Sequence, residues 1–148
     1  MSSLVLIKPD AFERGLQHDI MLRLHTITTV YRTRLIPAIT QDKMDQHYAE
    51  HIGKPFYPSL CKAMVGGQAL AVHLYGDCQR IRTECLSIRG HYKPADYVGP
   101  KNIIHSSDSE EAAEREIEVW FGFWNQVVEA VLPVSRVFDF PVENLDSY

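Results

Sequence analysis

The sequence is short of cysteine, of long apolar runs and of clustered positive charge, and each shortage removes a class of protein. Its three cysteines, Cys61, Cys78 and Cys85, are odd in number and lack paired metal-ligand spacing. They fit buried thiols in a reducing compartment better than a disulfide framework or a zinc knuckle. No apolar run approaches the roughly 20 residues that a membrane span needs, and no secretory-type leader precedes Leu4, so no membrane partner is expected and the expected location is the cytoplasm. The net charge is −4 and no run of Lys or Arg exceeds two residues. That argues against a long nucleic acid as partner, but a small anion needs only a few convergent cations. A G-x-x-x-x-G-K-[ST] phosphate loop is missing too, since Gly66-Gly67 stands before a strand-like stretch and is expected to be a turn. Neither H-R-D nor D-F-G occurs, which removes protein-kinase chemistry.

What is present suits one domain. With 148 residues, 45% hydrophobic and 23% charged, the chain is long enough for a single sizeable core and is expected to form one domain over 1–148, in which 122–148 is a C-terminal extension. Leu4-Val-Leu-Ile7 is a short apolar run stopped at Lys8-Pro9, which predicts a buried strand with Lys8 at its end. Leu16, Ile20, Leu24 and Ile27 recur at helical spacing, and Val30 to Ile39 is rich in strand formers. Thr40 can cap a helix over about 42–51, in which Met44, Tyr48 and Ile52 share a face. Ala69 to Tyr75 predicts a third strand, Cys78 to Leu86 a short helix bearing Arg80 and Arg82, and Ile103-Ile104-His105 a last strand. In the tail, Trp124, Val127, Val128 and Val131 predict a short amphipathic helix, followed by an extended stretch at 137–140. The order βαββαβ points to an α+β, ferredoxin-like sandwich, a four-stranded and mainly antiparallel sheet with helices packed on it. In that arrangement the first and last strands are neighbours, which would bring Lys8 and His105 together.

Of seven histidines, only His105 lies between a short apolar strand and a hydroxyl-rich helix start. A histidine attacks phosphorus through an unprotonated ring nitrogen, so its other N–H should be held by an acceptor that fixes the tautomer. Asp108 or Ser109 can cap the next helix, and Glu111 three residues after Asp108 resembles a capping box. On that helix Ala113, Ile117, Trp120 and Phe121 form the inward face, with Arg115 and Glu118 pointing out. Glu116 falls on the flank of the apolar stripe, where a carboxylate is costly without a partner. His105 is the expected partner, and Ser107 could add a hydroxyl hydrogen bond. His47 and His51, four residues apart, could form a metal pair, but no third ligand is evident.

Lys101-Asn-Ile-Ile-His-Ser-Ser-Asp-Ser109 with Glu116, together with Leu6-Ile-Lys-Pro-Asp-Ala-Phe-Glu-Arg-Gly-Leu16, resembles the nucleoside diphosphate kinase family. His47-Tyr48-Ala49-Glu50, Lys54-Pro-Phe-Tyr-Pro58 and Ile88-Arg-Gly90 extend the likeness from about Leu4 to Phe121. The resemblance implies a ferredoxin-like core and ping-pong transfer of a γ-phosphate from a nucleoside triphosphate to a nucleoside diphosphate, with phosphorylated His105 as carrier. It further implies that Lys8, Tyr48, Phe56, Leu60, Arg82, Arg89, Asn102 and Glu116 bind nucleotide or support the histidine. Lys8, Arg82 and Arg89 would neutralise phosphates beside a Mg2+ ion carried in by them. Phe56 would stack on the base with Leu60 beside it, and Asn102 would hydrogen-bond the sugar. Assembly as a homo-oligomer is also expected.

Three departures from the family pattern bear on the pocket. The stretch between Gly76 and Ile88 is about a dozen residues shorter than usual, so a phosphate-contacting threonine lacks a counterpart. Thr83 or Ser87 could substitute, and Arg80 rivals Arg82 for the phosphate. Ala11 replaces a glycine, and the stretch from His91 to Pro100 and the tail are longer than usual. These changes motivate an alternative, a non-catalytic nucleotide-binding sensor or scaffold of the same fold.

Overall fold

The computed structural model describes residues 1–94 and 99–122. The tail helix and extended stretch expected beyond Phe121 lie outside the described residues. Four strands form one sheet: β1 (Ser2–Ile7), β2 (Thr29–Ile36), β3 (Ala69–Tyr75) and β4 (Ile104–Ser106), in the order β2-β3-β1-β4 with every pairing antiparallel. This is the ferredoxin-like order. β2 stops one residue before Pro37, short of the expected Ile39, because proline has no N–H for the ladder. A bulge between Val30 and Arg32 breaks its register against β3.

Among the described residues, six α-helices connect and cover the strands: α1 (Pro9–Glu13), α2 (Gln17–Ile27), α3 (Gln41–His47), α4 (Tyr57–Met64), α5 (Cys78–Tyr92) and α6 (Glu110–Phe121). They lie on both faces of the sheet. Alternation along β1 sends Leu4 and Leu6 to one side, where they meet Met44 of α3, Leu60 and Met64 of α4, and Ala113, Ile117 and Trp120 of α6. Val5 and Ile7 face the other way, onto Ile20 and Leu24 of α2 and Ile81, Cys85 and Ile88 of α5. Ala11 of α1 is fully buried in that second core, so its methyl group has a place to pack.

Several ends are fixed by side chains. Thr40 caps α3 by accepting the Lys43 N–H at 3.2 Å, and Pro9 opens α1 at a position that has no use for an N–H. Gly67, after α4, approaches α1 so closely that a Cβ there would sit 2.6 Å from the Pro9 ring. The helix expected over about 42–51 ends at His47; Tyr48 leaves the helical region and a 3-10 turn, Ala49–His51, follows. The face predicted for Met44, Tyr48 and Ile52 is therefore broken, with Met44 in the core and Ile52 exposed. Among the described residues, no helix is long and apolar enough to cross a membrane.

Candidate active site

The sheet order delivers the expected approach of Lys8 to His105. In the β1–β4 pair Leu6 stands opposite His105, and the Lys8 N–H continues the ladder onto the Ile103 carbonyl at 2.8 Å. Alternation along β1 then puts Lys8 on the Leu6 side of the sheet. The chain enters β4 through Ile103, whose φ of 63° is unusual for a β-branched residue. It is held there because the Ile103 N–H donates to Asp10 Oδ2 at 3.0 Å while its carbonyl takes the Lys8 N–H. Such a conformation costs on the order of 1–3 kcal/mol and persists only where its surroundings over-determine it. It immediately precedes the strand that carries the histidine.

His105 Nε2 is hydrogen-bonded to Glu116 Oε1. The helical phase that placed Glu116 on the flank of α6 puts its carboxylate under the sheet, 2% exposed. The helix start is Ser109, whose Oγ accepts the Ala112 N–H at 3.1 Å; the expected Asp108–Glu111 box is not formed, because the cap lies one residue later. At the other end of α6, Arg34 and Lys43 donate to the Trp120 and Val119 carbonyls at 2.9 and 2.7 Å. These bonds tie the last turn to β2 and α3.

Electrostatics keep the ring neutral. Burial, reinforced by Lys8, Arg89 and Arg82, pushes His105 down to about 3, with Asp108 opposing. Burial raises Glu116 above the usual carboxylate range; His47 and Arg115 work against that rise, Asp108 adds to it and Ser107 opposes it. A neutral imidazole whose Nε2–H points at a carboxylate has its lone pair on Nδ1. The His105 side chain is still 21% exposed, so it can be reached from the cleft.

That cleft, a cavity of about 290 Å³, is lined by His47, Tyr48, Glu50, His51, Arg82, Arg89, His105, Ser106, Asp108, Ala112, Arg115 and Glu116. Arg82 is present and Arg80 is not. Arg89 also clamps β4, its Nε and Nη2 donating to the Ile104 carbonyl at 2.9 and 2.6 Å. The two arginines share one helix, since α5 runs unbroken to Tyr92 instead of ending near Leu86. Tyr48 sits with its ring centroid 6.1 Å from that of His105, and burial together with Glu116 raises its phenol above the ordinary value, keeping it neutral.

The other expected residues surround the cleft without lining it. Lys8 is buried, with Nζ donating to the Pro100 carbonyl at 2.7 Å and to Asn102 Oδ1 at 2.8 Å. Burial pushes it down to about 8, against Asp10 and with Arg89. Ser107 Oγ is engaged by the Leu4 backbone, accepting its N–H and donating to its carbonyl, both at 3.2 Å. Phe56, half exposed, meets His51 edge-on. Leu60 is buried in the core with Tyr57 and Met64, so it underlies the region instead of facing the cleft. Neither stand-in for the missing threonine reaches the cleft: Thr83 donates to the Gln79 carbonyl and Ser87 accepts from Arg23. The grouping with metal-ligand spacing pairs His47 with His105 and Glu116, not with His51. Sequence reasoning missed that role for His47; its partner Trp120 is 73 positions away, and no local pattern links them.

A neutral, oriented imidazole at the floor of an arginine-lined cleft on this sheet defines an α+β phosphotransferase. The nucleoside diphosphate kinase family profile matches residues 1–124. The nucleoside diphosphate kinase of Streptomyces avermitilis is 39% identical over 132 residues, covering 80% of this chain and 94% of the relative. That of a Nocardioides species is 36% identical over 137 residues, covering 82% and 96%. Among solved structures, the Aquifex aeolicus enzyme superposes with a TM-score of 0.71 at 27% identity, covering 83% of this chain and 96% of that one. The Halobacterium salinarum enzyme in complex with CDP gives 0.71 at 30% identity, covering 82% and 87%. The chain belongs to the nucleoside diphosphate kinase family.

Proposed function

We propose that this nucleoside diphosphate kinase moves the γ-phosphate of a nucleoside triphosphate to a nucleoside diphosphate in two half-reactions, with Nδ1 of His105 carrying the phosphate between them. The observation that carries the reading is the Glu116 bond to Nε2, which leaves Nδ1 as the nucleophile. In the first half-reaction the Nδ1 lone pair attacks the γ-phosphorus and the bond from phosphorus to the β–γ bridging oxygen breaks. The diphosphate then leaves with those electrons. Positive charge grows on the ring as the P–N bond forms, and Glu116 stabilises it through Nε2–H. A second diphosphate attacks the phosphohistidine and reverses the sequence.

Phosphoryl transfer is mainly positioning and charge neutralisation. Arg82 and Arg89 face the cleft and serve the phosphates; Lys8, poised between charge states near neutral pH, serves them from behind Asn102. Tyr48, neutral and beside the ring, limits its tilt. Phe56 offers an open ring face to any base, and Asn102, already oriented by Lys8, has its amide N–H groups for the sugar. Mg2+ would arrive with the phosphates; besides Glu116, which is engaged by His105, Asp108 and Glu50 are the carboxylates lining the cleft, and hard oxygen donors of this kind suit a hydrated Mg2+. When bound, the ion neutralises phosphate charge. Three free, buried thiols fit a cytoplasmic setting.

The test is incubation with γ-labelled ATP and Mg2+. Label that survives alkali but not acid, and is absent from His105→Ala, is expected. Label retained in His105→Ala would sink the mechanism, and no label in the parent protein would favour a non-catalytic nucleotide-binding role.

A further inference from the structure

Of the buried group formed by His47, His105 and Glu116, His47 is the member that the proposed reaction leaves without a task. Its ring is buried at the end of α3, edge-on to His105 at 4.5 Å between centroids. Nδ1 accepts the indole N–H of Trp120 at 2.9 Å. Indole nitrogen can only donate, so Nδ1 must present its lone pair, and neutral His47 carries its proton on Nε2. Burial, with His105, Arg115 and Lys8 nearby, holds His47 well below its ordinary value against the pull of Glu116, so it is neutral. Nε2 is buried, has no hydrogen-bond partner among the described residues, and lies 3.9 Å from Glu116 Oε1.

The nitrogen and oxygen atoms of His47, His105 and Glu116 lie within 4.8 Å of one another, as ligands of a metal would. The tautomer opposes that use. A ligating Nε2 needs its lone pair, which would move the proton to Nδ1 and set it head-on against the Trp120 N–H. The cluster is instead one carboxylate between two ring N–H groups, hydrogen-bonded to that of His105 and 3.9 Å from that of His47.

We infer that His47, locked in its Nε2–H tautomer by Trp120, is a positioning residue that keeps Glu116 ionised and aimed at His105. The inference rests on the reading of His105 as phosphate carrier. Glu116 is faced by His105 from β4, by His47 and Tyr48 from α3 and its end, by Arg115 from its own helix, and by Ser107 and Asp108 from the preceding turn. His47 Nε2–H, buried and without a hydrogen-bond partner among the described residues, lies 3.9 Å from Glu116 Oε1, so its dipole favours the charged carboxylate. Without its N–H the carboxylate would take up a proton at higher pH and cease to accept from His105.

Two substitutions separate this role from simple packing. In His47→Gln the amide nitrogen reaches the place of Nε2 and can donate to Glu116. In His47→Asn the amide oxygen sits near the place of Nδ1 and can satisfy Trp120, but the side chain falls short of Glu116. Single-turnover phosphorylation by Mg·ATP is measured against pH, with nucleotide affinity and thermal melting as controls. His47→Asn should lose about tenfold more rate than His47→Gln, with its acid limb moved to higher pH and nucleotide affinity within about twofold of the parent. Equal rates, or the opposite order, would overturn the inference and leave His47 as a filler that satisfies Trp120. Titration with Zn2+ alone gives a second measurement: Trp120→Phe, which frees the tautomer, should gain one Zn2+ site that the parent lacks, and no gain would overturn the tautomer assignment. If Trp120→Phe does not fold, the two His47 variants decide. A failure of the His105 reading shows separately, as label retained in His105→Ala.

Discussion

Glu116→Gln isolates charge from shape. The amide keeps an oxygen where Oε1 meets His105 Nε2, so the ring is still oriented, but the negative charge opposite the developing imidazolium is gone. A hydrogen bond to a charged partner contributes about 1.5–3 kcal/mol and a neutral one about 0.5–1.5, so the transition state should lose about 1–2 kcal/mol. At 1.36 kcal/mol per factor of ten, that is a rate of phosphohistidine formation lower by about 5- to 30-fold. Nucleotide affinity should hardly move, because Glu116 touches the ring on the side away from the attacking nitrogen. The stability effect has the opposite sign. Burial raises the native-state carboxyl above its unfolded value, so its contribution is most favourable below the unfolded pKa and is lost as pH rises through the native one. The amide carries no such loss, so Glu116→Gln should melt higher than the parent at pH 8, with the gap closing in acid. Rapid-quench phosphorylation with labelled ATP, equilibrium nucleotide binding and a thermal melt at two pH values make the assay. A rate within twofold of the parent, or a tenfold loss of affinity, would refute the orienting role and make Glu116 structural or a ligand contact.

The lowered Lys8 predicts that kcat/KM falls above about pH 8 with the loss of one proton, as the free enzyme's lysine discharges; a flat profile to pH 9.5 would contradict its part in phosphate binding. Phe56→Ala should weaken binding of all nucleotides by about 1–3 kcal/mol irrespective of base, with little change in melting temperature since the ring is half exposed, and a loss confined to purines would argue for hydrogen-bond readout instead. In acid, His47, His73 and His105 all have native values lowered by burial, the last two to about 3. The unfolded chain therefore binds protons first as pH drops below about 6.5, and each histidine should lower stability by up to about 1.4 kcal/mol per pH unit, partly offset by Glu116. Denaturant unfolding between pH 6.5 and 4.5 that shows no slope would rule out the neutral native state of these rings.

Periodicity exposed the elements whose side chains alternate between core and solvent in a fixed rhythm. Glu116 was legible because helical phase depends only on spacing, and the approach of Lys8 to His105 followed from strand order. Two helices went unread for different reasons. α1 spans five residues, too few for any period to register. α4 carries Tyr57, Leu60, Cys61 and Met64 at i, i+3, i+4 and i+7, all buried, so its signal was present and was masked by the prolines at its start. Leu60, which the resemblance sets beside a base, has the phase that turns it into the core. The tautomer of His47 could not be read from any local window, since it depends on an indole that only the packing of α6 against α3 brings near.

The trimmed stretch before Ile88-Arg-Gly90 is where local sequence and tertiary structure disagree most usefully. Gly90 disfavours helix by roughly 1 kcal/mol relative to alanine, and a motif ending in glycine invites assignment to a loop. Ile81, Cys85 and Ile88 are nonetheless buried on one stripe against β1 and β4, and that burial carries the helix to Tyr92. Arg82 and Arg89 are then seven residues apart, two turns and about 10.5 Å along one axis, and both face the cleft. A loop would have to be ordered each time a phosphate bound, whereas two arginines on a packed helix are spaced beforehand and lose less freedom on binding. On the proposed reading, in which Arg82 and Arg89 hold the phosphates, shortening the chain here need not impair binding, because the helix spaces the two guanidinium groups beforehand.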